Sequence, residues 1–433
     1  MLDSRSSLAT TAIQADLLDR LGRDRVRVGP EAKRLCGQDV LALVLPQTTT
    51  DVQEAVQVAR RRHVTLEVRQ RLPVLAEDAL GDAIVLAATT LNAPLELDIA
   101  RRLATVGVGV TLHQLDRAAR QARLCARNLP LWPGETLGSL LAEGDAGQLG
   151  LCAGALLDAV VGARVVTGTG RTLRLGGAEF LGLRAGSTRG LPSPLGLLDG
   201  HAGRGLIVCE VTLRLERAPW LLLAQGTLPA GRTALLGLLS TARMLATLGD
   251  LDTLLLTETE SGTHVHLRLA TMRENDLPLL EQNTLHALRE TGLQLQPLVR
   301  EDRRVRLGQE APTWPDPLPP EPSLILQVPW PDLPAVLDVT DAVCHQGNVP
   351  LRRLWAVGQD ALRLQLPLGE LTPHPLVTHA GLLLDAGALP IAAGTRWRPL
   401  LRERMGPGAK VTLTALQRVF DPDAVISPRS GLP

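Results

Sequence analysis

Two hydrophobic periods alternate along this chain, and the switches between them outline its elements. LALVLP (41–46) is a short apolar run. Thr50 followed by Gln53 three residues on predicts a capping-box helix start. Val52, Ala55, Val56 and Ala59 then recur at helical spacing before the β-rich VTLEV at 64–68. Strand, helix and strand in that order predict a βαβ unit, with a right-handed crossover and a parallel pair. A helix is expected over 113–122, and Pro130 to Gly150 reads as a Gly- and Pro-rich loop. LLDAVVGARVVTGTGRTLRL (156–175) reads as helix end, strand, tight turn and strand, and GLIVCEVTLRL (205–215) closes this half with a β-prone run.

The pattern changes character at Trp220. LLLAQGTL (221–228), a helix near 230–247, LDTLLLTET (251–259) and THVHLRLA (263–270) predict β-α-β-β. After a helix at about 276–292 the order recurs as SLILQVPW (323–330), a helix over 332–346, LRRLWAV (351–357) and ALRLQLP (361–367). Two such halves predict one antiparallel sheet with helices on one face, an α+β lobe. Nine prolines between 311 and 334 mark an extended connector, flanked by Trp314, Trp330 and Trp355. The tail reads as a helix followed by FDPDAVISP (420–428) and a turn.

Length and composition narrow the function classes. With 433 residues and 45% hydrophobic side chains, the chain has material for two or three domains. Forty-five basic residues balance forty-five acidic ones, so no global field draws nucleic acid or an anionic membrane. There is no tyrosine to act as acid, nucleophile or stacking ring. Cys36, Cys125, Cys152, Cys209 and Cys344 are odd in number and lack CxxC spacing, which argues against disulfides, zinc and iron–sulfur chemistry. No stretch is apolar enough to span a membrane, and the N-terminus lacks the apolar core of a signal peptide. A reducing, cytoplasmic setting is expected.

His264, His266 and Arg268 alternate with Val265, Leu267 and Leu269, so they share one face of a strand. That face is either solvated or looks at an anionic substrate, with a histidine as base and Arg268 as carboxylate clamp. Glu258 and Glu260 alternate on the preceding strand and either pair across to it or, the reading that fits better, lie on a solvated face. Cys344 and His345 are adjacent on a helix and point apart, so no Cys–His catalytic pair is expected. GTGRTLRLGG (168–177) lacks the Lys-Ser/Thr of a phosphate loop and reads as a hairpin turn. The cluster Asp302, Arg303, Arg304 and Arg306 reads as a solvated loop.

Four stretches, in order, resemble the FAD-linked oxidases of the PCMH/vanillyl-alcohol-oxidase type. ALVLPQTTTDVQEAVQVARRRHVTLEVR (42–69) is similar to that family's opening P-x-x-x-x-D-V segment, with a strand ending in Arg. ETLGSLLAEGDAG (135–147) resembles its T-I-G-G…N-x-x-G loop, GHAGRGLIVCEVTLRL (200–215) its G-S-E-G-x-L-G-I-I-T-E-V-T-L-R-L segment, and FDPDAVISP its terminal F-D-P motif.

The resemblance implies an α+β protein: a two-subdomain PCMH-type FAD-binding domain over 1–218, an α+β cap with an antiparallel sheet over 219–400, and a tail from 401 to 433 returning to the first part. It implies FAD held by Arg69, Thr136, Leu137, Gly138, Ser139, Gly144, Gly147, Gly203, Ile207 and Val208. It further implies oxidation of a small 2-hydroxy acid such as glycolate or lactate, by a flavin subunit that can join other subunits of an oxidase complex. In the family, glycine amides after the strand-end Arg hold the pyrophosphate. Here Gln70, Arg71, Leu72 and Pro73 stand there, and Pro73 has no amide donor. Either the guanidinium groups of Arg69 and Arg71 replace those donors, or the fold persists as a flavin-free scaffold or regulatory subunit.

Overall fold

The computed structural model of the chain describes residues 2–70, 72, 82–126, 136–143, 151, 156–176, 194–198, 205–229, 231–249, 251–259, 262–295, 323–349, 353–358, 361–367, 375–391, 400 and 403–426. Its strands fall into two small sheets in the first half and one wide sheet in the second, with a two-stranded ribbon at the join.

Strands β1 (Val26–Arg27), β2 (Ala42–Val44), β3 (Thr65–Arg69) and β4 (Ala83–Ala87) form the first sheet in the order β1-β2-β4-β3. β2 and β3 are both parallel to β4, which lies between them, so the βαβ unit spans two positions of the sheet instead of forming an adjacent pair. The helix Thr49–Arg62 connects them. It starts two residues earlier than the Thr50–Gln53 spacing predicts, because an acidic residue at the third position completes a better box. Thr48 Oγ1 accepts the Asp51 N–H at 3.2 Å, and Asp51 Oδ2 accepts the Thr48 and Gln47 N–H groups at 3.0 and 2.9 Å. Val52, Ala55, Val56, Val58 and Ala59 are fully buried, because this helix lies between the first sheet and the second.

The second sheet is antiparallel, in the order β5-β6-β10-β8-β9: β5 (Leu95–Asp98), β6 (Leu103–Gly107), β8 (Val160–Thr167), β9 (Thr172–Gly176) and β10 (Leu206–Arg214). β7 (Leu124–Cys125) and β11 (Glu216–Arg217) form the ribbon. Residues 168–171 turn β8 into β9, as expected of a hairpin. One apolar cluster runs through both sheets, from Leu66 and Ile84 to Val106 and Val165.

The tail closes this unit. After the helix Pro407–Phe420, Asp421 caps a turn that brings Val425 to β3, where the Leu66 N–H donates to Val425 O at 2.8 Å. Gly168 and Gly205 have no Cβ for a reason visible here. A Cβ on Gly205 would sit 2.8 Å from Asp421 Cβ, and one on Gly168 would overlap the Asp421 carboxylate.

The second half is an eight-stranded sheet of order β15-β12-β14-β13-β17-β18-β16-β19. It comprises β12 (Trp220–Leu228), β13 (Thr253–Thr259), β14 (Gly262–Thr271), β15 (Gln294–Leu295), β16 (Ser323–Pro329), β17 (Arg353–Val357), β18 (Ala361–Pro367) and β19 (Leu389–Ile391). Both β-α-β-β repeats are present, and they join where β13 pairs with β17. Part of the expected proline connector is therefore core: Leu324, Leu326 and Val328 of β16 are buried because their strand pairs with β18 on one side and β19 on the other. The helices Arg232–Thr247, Leu277–Arg289 and Leu333–Gln346 cover one face, over Leu254, Leu256, Val265, Leu267, Leu269, Leu362 and Leu364. Trp355 is fully buried in that layer, Trp330 stacks against Arg243 with the guanidinium 5.2 Å from the ring, and Trp314 lies outside the described residues.

Candidate active site

Two regions of the described structure carry the chemistry: the crevice between the two small sheets, and the sheet face of the second half that no helix covers.

Where the chain passes from the first sheet to the second, the segment between β4 and β5 packs closely against the end of β6 through glycines. The Gly107 and Gly109 N–H groups donate to Pro94 O at 2.9 Å and Leu91 O at 2.8 Å. A Cβ on Gly109 would lie 2.7 Å from the Thr89 carbonyl carbon. Beside them the turn at 136–139 is closed on itself. Thr136 N–H donates to Ser139 Oγ and Ser139 N–H to Thr136 Oγ1, both at 3.2 Å, while Leu137 N–H goes to Val110 O at 3.0 Å and Gly138 N–H to Val108 O at 2.8 Å. The Ser139 hydroxyl donates to Thr136 O at 2.8 Å. All four main-chain donors are thus used inside the protein, and Leu137 and Ser139 are fully buried. The Cα of Gly138 is left bare on the side where the Gln70 side chain lies.

The structure corrects the role foreseen for Arg69. Side chains alternate along β3, so Arg69 shares the face of Glu67, opposite that of Leu66 and Val68. Its guanidinium lies 3.7 Å from the buried Glu67 carboxylate and close enough to lower the Cys36 thiol pKa, against the stronger upward push of burial. Leu72 packs on that same outer face, with Ala32, Cys36, Leu43 and Val85. The residue that enters the crevice is Gln70. A Cβ on Gly138 would overlap Gln70 Oε1 and lie 3.1 Å from Gln70 Cδ. Sequence reasoning passed over Gln70, although the alternation that aims Val68 inward also aims residue 70 inward.

Ile207 is a core residue and Val208 is half-buried on the opposite side of β10, next to an irregularity in its pairing with β8. Gly144, Gly147, Gly203 and Arg71 lie outside the described residues. Of the five cysteines, Cys36, Cys125, Cys209 and Cys344 are buried thiols outside any disulfide, and burial pushes the Cys209 thiol up to about 12. No metal-holding group of three acidic, cysteine or histidine side chains occurs among the described residues.

On the open sheet face, cross-strand partners fix which side chains are neighbours. His266 stands opposite Gln225 of β12 and Leu255 of β13; Leu255 stands opposite Ala356 of β17, and Ala356 opposite Arg363 of β18. His264 shares the next row with Thr227, Thr257 and Gln365. On this face His264 is exposed, whereas Leu255, Arg363 and Gln365 in these rows and Arg268 and Thr253 in the row beyond His266 are buried, so the face is not simply solvated. Arg363 and Gln365 are the residues that sequence reasoning missed. ALRLQLP alternates polar and apolar positions just as THVHLRLA does.

Burial, with the charge of neighbouring His264, lowers the His266 pKa from 6.5 to about 4, so its ring is neutral at physiological pH. Arg268 does not have the freedom of a clamp. Its Nε donates to the buried Asp252 Oδ2 at 2.6 Å, which neutralises the guanidinium. Arg268 also acts on Asp116 in the helix Leu112–Gln121, so this end of the face is turned to the first half. Burial raises the Asp116 carboxyl, and Arg120, then Arg268 and His113, pull it part of the way back. Glu258 is corrected by register: Thr257 stands opposite His264, and Glu258 lies on the helix-covered face. There it accepts Arg353 at 3.2 and 3.3 Å and the Trp355 indole N–H at 3.3 Å. Glu260 and the Arg303–Arg306 cluster lie outside the described residues. Cys344 is buried and His345 exposed, pointing apart as expected.

Comparison with known proteins bears directly on the crevice. Residues 40–176 match the family described as FAD binding domain. Residues 40–176 form an FAD-binding domain. A stretch of 178 residues is 29% identical to a D-lactate dehydrogenase of Archaeoglobus fulgidus, covering 40% of this chain and 38% of that relative's length. Among solved structures, 4-ethylphenol oxidase from Gulosibacter chungangensis superposes with a TM-score of 0.76 at 15% identity, over 98% of this chain and 97% of that one. p-Cresol methylhydroxylase also reaches 0.76, at 12% identity with 98% and 97% covered. Alkyldihydroxyacetonephosphate synthase reaches 0.69 at 14% identity, with 97% and 84% covered. These likenesses show that the chain shares the fold of those proteins over nearly its whole length.

FAD is the cofactor of this domain, and the residues about Gly138 fit it. Gly138 has no Cβ where one would overlap the Gln70 amide, and Gln70 Oε1 is a buried acceptor without a hydrogen-bond partner beside it. Bound there, the flavin supplies a two-electron acceptor. Among the described residues, no helix is long and apolar enough to cross a membrane.

Proposed function

We propose that this FAD-dependent oxidoreductase oxidises a small 2-hydroxy acid, of the glycolate or lactate kind, beneath the open face of the cap sheet. The observation that carries this reading is a single row of that face in which a neutral imidazole, His266, and a buried guanidinium, Arg363, stand on either side of Leu255 and Ala356. Three strand spacings separate their backbones, about 14 Å. His266, kept neutral by burial, accepts the hydroxyl proton at a ring nitrogen; its lowered basicity limits the driving force but leaves it unprotonated at neutral pH. Arg363, with Gln365 in the adjacent row, holds the carboxylate, and buried Leu255 keeps water from the space between. Arg268 and Asp252 act as a neutral strut under the base. The D-lactate dehydrogenase relative supports the substrate class over the stretch it shares.

The test is anaerobic mixing of flavin-loaded protein with glycolate, D-lactate and L-lactate, followed by visible absorbance. Bleaching by at least one acid is expected. Arg363→Met should raise the concentration for half-maximal bleaching by roughly tenfold to a hundredfold, the loss of a charge-assisted contact. Loaded protein that no 2-hydroxy acid bleaches would refute the reading.

A further inference from the structure

In this chain the crevice has lost the usual supply of main-chain donors at one wall. The four amides of 136–139 donate to Ser139 Oγ, Val110 O, Val108 O and Thr136 Oγ1. Arg69, at the end of β3, has its guanidinium on the outer face beside Glu67. Only Gln70 reaches across from β3 to the bare Cα of Gly138, and its Oε1 is buried there with no hydrogen-bond partner. A buried acceptor left without a donor is costly, and proteins rarely tolerate one without a purpose. A primary amide has an inexpensive remedy. A half-turn about its terminal torsion exchanges Oε1 for Nε2 and turns an idle acceptor into a donor at the same point.

We propose that Gln70 is a cofactor-binding residue whose side-chain amide donates an N–H to the pyrophosphate of FAD as it passes Gly138. This rests on the FAD reading of the crevice. It explains why a glutamine is compatible with a position where a family member has glycine: the side chain supplies the donor that the backbone no longer gives. It also explains why Gly138 remains a glycine although its amide is committed to Val108 O, since a Cβ would displace the amide of Gln70.

The experiment is a fluorescence titration of flavin-stripped protein with FAD and, separately, with riboflavin, which lacks the pyrophosphate. The wild type is compared with Gln70→Ala, Gln70→Glu and Gln70→Gly, each checked for folding by circular dichroism. Gln70→Ala should weaken FAD by about tenfold, the worth of one hydrogen bond to a charged acceptor. Gln70→Glu should weaken it further, by setting a carboxylate against phosphate, and none of the variants should change riboflavin affinity. Unchanged or tighter FAD binding by Gln70→Ala overturns the proposal and leaves the cofactor reading intact. An equal loss for riboflavin overturns it too, by making Gln70 a merely structural residue. FAD uptake by Gln70→Gly but not by the wild type makes Gln70 a plug and likewise overturns it. If no form takes FAD, this proposal and the flavin reading fall together.

Discussion

Replacing Asp421 by alanine tests how the tail is held. In the folded chain Asp421 Oδ1 accepts the Val425 N–H and Oδ2 the Ile426 N–H, each at 2.9 Å. The turn so formed presents Val425 O to the Leu66 N–H of β3 and buries Ile426 to 1% exposure. Hydrogen bonds to a charged acceptor contribute about 1.5–3 kcal/mol each, so losing two costs about 3–6 kcal/mol. The helix Pro407–Phe420 has no buried residue, so it gives the turn little help. The loss therefore falls on tail docking more than on the whole fold. A change of about 3 kcal/mol multiplies the open population by roughly two powers of ten. Hydrogen exchange by mass spectrometry should then show the peptide carrying Leu66 exchanging about a hundredfold faster in Asp421→Ala, with the peptide over β4 unchanged. Asp421→Asn, which keeps one acceptor, should fall between. If the Leu66 peptide keeps its wild-type rate in a folded Asp421→Ala protein, the carboxylate does not hold the tail.

The cap face supplies two more predictions. The His266 pKa is depressed, so the folded state resists the proton that the unfolded chain takes up; its contribution is intact above pH 6.5 and is lost as pH falls from there toward 4. An NMR titration of the ring should give a midpoint near 4, and a midpoint above 6 contradicts the burial argument. Asp252→Asn leaves the buried Arg268 guanidinium without its charge partner and should cost about 3–5 kcal/mol in a denaturant titration, most of it recovered in Asp252→Asn/Arg268→Met. Equal destabilisation of the single and double variants would show that the pair is not a strut.

Much of this fold was legible in the residues because burial enforces its own period. LDTLLLTET and SLILQVPW read as strands because each lays leucines on the face that the helices cover. The repeat of β-α-β-β was visible because each unit needs the same one-sided pattern. The order of the first sheet was not visible. A crossover helix links β2 to β3 however many strands stand between them, and β4, which inserts itself there, arrives later in the chain. The capping box slipped by two residues because Thr48, Thr49 and Thr50 offer three hydroxyls, and only the position of Asp51 chooses among them.

The site was harder for a related reason: which face a polar residue takes depends on parity, not identity. Arg69 carries the charge that phosphate chemistry calls for, but parity puts it with Glu67, and the less conspicuous Gln70 receives the crevice. Arg268 has the charge that a carboxylate calls for, but Asp252 lies outside the alternating stretch that draws attention to it, and neutralises it. Arg363 was overlooked in a segment where Leu362, Leu364 and Leu366 bind the strand to the core and thereby force residues 363 and 365 onto the open face. In each case the apolar neighbours decide the direction of the polar side chain. Burying those neighbours is worth about 1.5–3 kcal/mol apiece, as much as one charged contact, so alternation around a candidate ligand is better evidence of its role than its own chemistry.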